Sequence, residues 1–319
     1  MVRKVMKFIV DKLPVFAIAL CGVSAFVVVA CSPFTGTTNI FDEVVPLSAG
    51  EFQAKGVADF PGEDIDELNN GGISVTADFS HTGIGLVKVD IDCGEEDSCY
   101  VSLLPAEDAR ERSSEQGFYD SKLKPHGNSG VYSLTHGSGE YELCVWLKED
   151  KADEYRSNYR KIYMKLFTAD FMDEAPFLYS NANSVFEEDS LAAAYAHALI
   201  AEKINDLEKA KAIIAFVHDR IEYDEDSPYD EEFFMTADEI LEEGKGLCYH
   251  FTGLASAMLK SVGIPAKEVR GTHRSLAGRH AWCEVYVEGK WYTADPTWFS
   301  GFPLNASRYY PEENANPHN

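Results

Sequence analysis

Gly246-Leu247-Cys248-Tyr249-His250, running on into the apolar segment Phe251 to Val262, is the stretch on which the reading of this chain turns. A glycine-flanked cysteine stands at the start of what reads as a buried helix, which should end at Gly263, two residues before Pro265. At a helix N-terminus the unpaired N–H groups and the dipole favour a thiolate, and the same groups can hold an oxyanion. Downstream come His280-Ala281-Trp282 and Ala294-Asp295-Pro296-Thr297, each inside a strand-like segment. Cysteine, histidine and aspartate in that order are the parts of a thiol nucleophile, its base and the base's orienter. Each residue alone is most simply structural. It is the three together, in this order, that point to chemistry.

The segments around the cysteine read as helices followed by strands. Asp189 or Ser190 can cap a helix over Leu191–Ile200, and Asn205 or Asp206 opens a second, with Leu207, Ala210, Ile213, Ile214 and Val217 at helical spacing. Thr236-Ala237-Asp238-Glu239 has the form of a capping box, and Gly244 should stop that short helix. Ala266 to Gly271, His280 to Val287 and Lys290 to Asp295 read as strands, with Glu288-Gly289 turning the last pair. Counting back from that turn puts position 280 near 297, which brings His280 within a residue or two of Asp295 across the hairpin. The second half is therefore α+β.

Residues 71–180 are different. Ile73 to Phe79, Gly85 to Ile91, Tyr100 to Leu104, Gly130 to Leu134, Tyr141 to Leu147 and Tyr159 to Phe167 are short strand-like runs separated by turn residues. This argues for an antiparallel β-sandwich with no chemistry of its own. Residues 32–70 read as a tether with irregular structure, and 301–319 as a polar tail.

The first 31 residues form another unit. Arg3, Lys4, Lys7 and Lys12 precede the apolar run Leu13 to Ala30, which ends Val28-Val29-Ala30-Cys31. That is the pattern of a secretory signal. Its end resembles the lipobox of bacterial lipoproteins, in which the cysteine (here Cys31) is lipidated and anchors the chain to the membrane. An uncleaved N-terminal anchor is the alternative, and both place the remainder on the extracellular face of the cell membrane. In that setting Cys93 and Cys99, bracketing an acidic loop, could form a disulfide, while Cys144 and Cys283 sit in apolar strand patterns as buried thiols.

Composition narrows the classes further. The chain has 319 residues, 45% of them hydrophobic and 12% aromatic, enough for two cored domains. A formal charge of −25 disfavours nucleic acid as a partner. No cysteine pair has zinc-site spacing and no HExxH occurs, so neither metal nor cofactor is expected.

Four blocks in sequence carry a family resemblance. They are Gly244-x-Gly246-x-Cys248, Ala255 through Leu259 to Gly263-Ile264-Pro265-Ala266, His280-Ala281-Trp282-x-Glu284-Val285, and Trp291 to Asp295-Pro296-Thr297. Together they resemble the core of the transglutaminase-like superfamily over about residues 190–298, within a domain placed at residues 185–300, and Ile221-x-Tyr223-Asp224 matches the segment that precedes the cysteine there. The resemblance implies a papain-like fold with Cys248 as nucleophile, His280 as base and Asp295 as third member. It also implies a peptide or protein substrate, cell-wall peptide included, handled by an amidase, peptidase or transglutaminase. A non-catalytic module that binds peptide or glycan is the alternative. Protein-crosslinking members carry a tryptophan upstream of the cysteine to help bind the oxyanion, but no tryptophan lies between Trp146 and Trp282. Tyr223, Tyr249 and Trp282 are the aromatic candidates for the oxyanion site or the cleft wall.

Overall fold

The computed structural model describes residues 57–70, 72–92, 99–107, 129–153, 156–225 and 235–311. Cys31 with its signal-like segment, and Cys93, lie outside the described residues.

The first domain contains β1 (Ile65–Asn70), β2 (Ile73–Asp78), β3 (Leu86–Asp92), β4 (Cys99–Pro105), β5 (Ser129–Ser133), β6 (Gly139–Asp153) and β7 (Arg156–Ala169). They form two antiparallel sheets, ordered β1-β2-β3-β5 and β4-β6-β7. Alternate residues of both sheets, among them Val75, Val87 and Val89 on one and Val101, Leu143 and Val145 on the other, enter one hydrophobic cluster. Two sheets sharing an inner layer make a β-sandwich. Cys99 is disulfide-bonded.

One correction concerns residues 65–70, which sequence places in the tether. They form the edge strand β1, paired with β2 from Ile65 opposite Asp78 to Asn70 opposite Ile73. The alternation is hidden because a half-buried position is occupied by Asp66, which accepts a hydrogen bond from the Tyr163 hydroxyl at 2.8 Å.

The segment between the domains is fastened to both. Ala182 N–H donates to the Val131 carbonyl at 2.8 Å, and Asn181 Nδ2 donates to Ser133 Oγ at 2.9 Å. On the other side Phe177 meets the Trp291 ring edge-on, with centroids 5.4 Å apart, and the Lys260 ammonium donates to Ser184 Oγ at 2.6 Å.

The second domain begins with α1 (Leu191–Ile200), α2 (Asp206–Arg220) and α3 (Ala237–Glu243). Each starts at a side-chain cap: Ser190 accepts from Ala193 N–H, Asn205 from Glu208 N–H and Thr236 from Glu239 N–H, the last completed as a capping box by the Glu239 carboxylate. Asp238, on α3, also accepts from the free Leu191 and Ala192 N–H groups of α1, at 3.0 and 2.9 Å. That ties two helix N-termini together at one carboxylate. Gly244, with φ of 72°, ends α3 in the left-handed conformation.

β8 (Glu222–Tyr223) and β9 (Lys245–Gly246) form a short parallel pair that leads the chain into α4 (Cys248–Ser261). Apart from Tyr249, α4 is buried along its length. It lies against β10 (Ala266–His273), β11 (Arg279–Val287) and β12 (Lys290–Ala294), its side chains joining Ala266, Cys283, Val285, Val287 and Ala294 in one core.

A second correction concerns the C-terminal segment. Residues 309–311, which sequence leaves in a polar tail, form β13 (Tyr309–Pro311), and the sheet runs β12-β11-β10-β13. Three residues carry no usable periodicity. The pairing becomes possible at Gly271, where any Cβ would collide with the Tyr310 carbonyl, the Trp282 ring and Pro311. The architecture is α+β with helices followed by an antiparallel sheet, behind an all-β domain.

Candidate active site

Cys248 is the first residue of α4, at the end where backbone N–H groups lack intrahelical partners. The local sequence builds this start tightly. His250 is buried and its Nδ1 accepts from Leu247 N–H at 3.0 Å, so the helix is capped by a residue from its own first turn. Gly246 makes room for that ring, since a Cβ there would lie 2.6 Å from His250 Nδ1. Thr252 donates from Oγ1 to the Cys248 carbonyl at 2.9 Å. The cysteine is thereby fixed from both sides along the chain.

His280 comes from β11 and Asp295 from the residue just past β12. The ladder runs from Cys283 opposite Ala294 to Val287 opposite Lys290. Continued by one step, it sets Asp295 opposite Trp282 and so diagonal to His280 on one face. Their side chains meet: His280 Nε2 lies 2.8 Å from Asp295 Oδ2, with both residues buried. Nδ1 is then the ring nitrogen left free to face Cys248, which acts on the imidazole together with Asp295.

Asp295 is fully buried and its carboxylate has four donors. Oδ1 accepts from Thr297 N–H at 3.1 Å and from Trp298 N–H at 3.4 Å. Oδ2 accepts from His280 and, at 3.1 Å, from the Tyr309 hydroxyl. These donors meet the hydrogen-bonding needs of a carboxylate taken out of water.

These contacts decide the charge of His280. Burial pushes the imidazole down, but the hydrogen bonds to Asp295 and Cys248 and their negative charge outweigh it, so His280 is pushed up from 6.5 to about 9. At neutral pH the imidazole therefore keeps its proton. The other described free thiols are Cys144 and Cys283. Burial and the Glu142 carboxylate push Cys144 up to about 12, and burial drives Cys283 higher still. Neither is a nucleophile at neutral pH.

The aromatic candidates fall in different places. Tyr223 is bridged to Gly246 in the β8–β9 pair, and its ring packs 5.0 Å from Trp298 and 6.4 Å from Phe251. It therefore flanks the entry to the cysteine. Tyr249 is half-buried and lies against His250, with centroids 4.2 Å apart. Trp282 is wholly buried, packed 6.2 Å from His280 and 5.2 Å from Tyr309, and its indole N–H has no partner among the described residues. It forms the floor beneath the histidine.

Two residues at the site escape the sequence reading. Tyr309 reaches Asp295 from β13, and His273, buried on β10, packs against Tyr309 at 4.6 Å and lies 6.5 Å from His280. No local pattern marks either, because both arrive through non-local pairing. Among the described residues no group of three or more His, Cys, Asp or Glu could hold a metal ion.

A thiol at a helix terminus, a buried strand histidine and a buried aspartate bonded to the histidine make up a cysteine–histidine–aspartate site of papain-like arrangement. Residues 193–296 match the family model described as the transglutaminase-like superfamily, and the second domain is a transglutaminase-like domain. The kyphoscoliosis peptidases of Mus musculus and Homo sapiens are each 35% identical to the chain over 115 residues, a match covering 32% of this chain and 17% of the relative. The matched stretch is thus a small part of those proteins. Among solved structures, the periplasmic domain of TgpA from Pseudomonas aeruginosa is similar with a TM-score of 0.31 at 16% identity, over 70% of this chain and 94% of that one. Red sea bream transglutaminase is similar with a TM-score of 0.28 at 12% identity, over 71% of this chain and 49% of that one.

Proposed function

We propose that this protein is a thiol enzyme of the cell envelope that acts on amide bonds of peptides or proteins through a Cys248 thioester. The observation that carries the reading is Cys248 as the first residue of α4 in one buried site with His280, whose Nε2 lies 2.8 Å from the fully buried Asp295. In the proposed cycle the Cys248 thiolate attacks the amide carbon and a C–S bond forms. The oxyanion is received by backbone N–H at the start of α4, with the Tyr223 hydroxyl as the candidate second donor. His280 gives its Nδ1 proton to the leaving amine as the C–N bond breaks. Water or a second amine then attacks the thioester, His280 takes its proton and the thiolate departs. Asp295 keeps Nε2–H in place throughout.

Water as acceptor gives an amidase or peptidase, and an amine gives a transglutaminase. The curated relatives are named peptidases, and the chain has no tryptophan between Trp146 and Trp282, so hydrolysis is the favoured outcome. Location rests on the sequence alone: a basic start, an apolar run and Val28-Val29-Ala30-Cys31 support a lipid anchor on Cys31.

The test is to incubate the protein with a peptide library and with a labelled primary amine, using Cys248→Ala as control. Cys248-dependent cleavage without amine incorporation supports the hydrolase, and Cys248-dependent incorporation supports transamidation. Neither activity, with intact folding, would leave the domain as a binding module and end the enzymatic reading. The anchor is tested separately, since fatty-acid label that persists in Cys31→Ser refutes it.

A further inference from the structure

We propose that Tyr309 is a positioning residue of the thiol site: its hydroxyl, delivered by the C-terminal strand β13, locks the Asp295 carboxylate in the orientation that holds His280 toward Cys248. The proposal rests on the Cys248–His280–Asp295 reading above and extends it to a residue outside residues 193–296 of the family match.

Three observations carry it. First, the Tyr309 hydroxyl and His280 Nε2 share one oxygen, Oδ2 of Asp295, at 3.1 and 2.8 Å. The two Oδ1 donors, Thr297 and Trp298 N–H, lie two and three residues along the same backbone, so they fix the carboxylate only relative to its own turn. Besides His280 itself, Tyr309 is the donor among the described residues that fixes it relative to the rest of the sheet. Second, the tyrosine is itself held. It is buried, clasped between His273 at 4.6 Å and Trp282 at 5.2 Å, and its backbone pairs with His273 in the ladder. Trp282 in turn packs against His280, so a displaced Tyr309 would loosen both the carboxylate and the floor under the imidazole. Third, the strand is seated by specific close approach. Gly271 stands opposite both His280 on β11 and Pro311 on β13, and it is bare of the Cβ that would expel Tyr310 and Pro311. Arg274 N–H donates to the Arg308 carbonyl at 2.9 Å and closes the approach to the strand.

Tyr309 keeps its proton at working pH. Burial, and then the negative charge of Asp295, push its hydroxyl far up, so it serves Asp295 as a donor. The charged or titratable groups around it are Asp295, His280, His273 and Arg308. Of these, Asp295 is the one that accepts from the hydroxyl among the described residues. The tyrosine does not touch the reacting atoms and acts through Asp295.

The experiment is Tyr309→Phe in the full chain, with Tyr310→Phe, the exposed neighbour, as control and thermal melting to establish folding. Two readouts respond to position and not to packing. One is the proton resonance of His280 Nε2–H, which should shift upfield and broaden in Tyr309→Phe and stay in place in Tyr310→Phe. The other is the rate of Cys248 alkylation by iodoacetamide at pH 7, expected to fall about 10-fold in Tyr309→Phe, the scale on which outer partners of reactive groups act. His280→Ala, measured alongside, separates the two ideas. If His280→Ala slows alkylation but a folded Tyr309→Phe keeps both the wild-type resonance and rate, the positioning role is overturned and the triad stands. If His280→Ala also changes nothing, the triad reading itself fails and takes this proposal with it.

Discussion

Replacing Asp295 with asparagine should uncouple His280 from the rest of the site in a measurable way. His280 is buried, and its ordinary value of 6.5 is raised to about 9 against the effect of that burial. A difference of that size corresponds to about 3 kcal/mol of preference for the imidazolium. The sign follows from proton linkage. A histidine whose value is raised on folding binds its proton more tightly when folded, so its stabilisation is complete below 6.5 and is lost as pH climbs through about 9. In Asp295→Asn the carboxylate charge disappears, burial acts almost unopposed, and only Cys248 still favours the charged ring. The titration midpoint should then fall to or below the ordinary 6.5. Imidazole NMR of both proteins between pH 5 and 10 reads this directly. Urea melts at both ends of the range should show wild type losing about 3 kcal/mol more stability than the variant on going alkaline. A wild-type midpoint near the free-histidine value would refute the reasoning. So would a variant that keeps the raised midpoint, since Asp295 would then not be its cause.

Three further outcomes follow from the packing around the site. Gly246→Ala puts a methyl group 2.6 Å from His250 Nδ1, so it should destabilise the fold by about 1–3 kcal/mol and slow Cys248 alkylation, both checked on one preparation. Lys260 is fully buried between Ser184 Oγ at 2.6 Å and Glu268 Oε1 at 2.9 Å; Lys260→Ala leaves that carboxylate without its partner and should cost about 3–5 kcal/mol by urea melting. Mapped peptides after brief iodoacetamide treatment near neutral pH should carry label on Cys248 and essentially none on Cys144 or Cys283, whose thiols are pushed far up.

How much of this could be read from the residues depends on how locally each feature is encoded. The helix starts were legible because Ser190, Asn205 and Thr236 each cap within three residues of themselves. The β11–β12 hairpin was legible because Glu288 and Gly289, at φ of 52° and 78°, make a two-residue turn that fixes the register as far as Cys283, three residues short of His280. β1 was hidden by Asp66, a polar residue at a half-buried position satisfied by Tyr163, a partner far along the chain. β13 was hidden because three residues carry no period and their pairing depends on Gly271, which shows its role only once the sheet is assembled. The part of the site encoded within blocks was therefore visible as Cys248, His280 and Asp295. Tyr309 and His273, which enter through long-range pairing, were not.

The central claim is that His280 activates Cys248 as the nucleophile. The most direct measurement is the second-order rate of iodoacetamide alkylation at Cys248, resolved by peptide mapping, at pH 6 to 7. The account predicts a rate well above that of a free thiol under the same conditions, falling to the free-thiol rate or below in His280→Ala. A wild-type Cys248 that alkylates no faster than a free thiol, and is indifferent to His280→Ala, would contradict it.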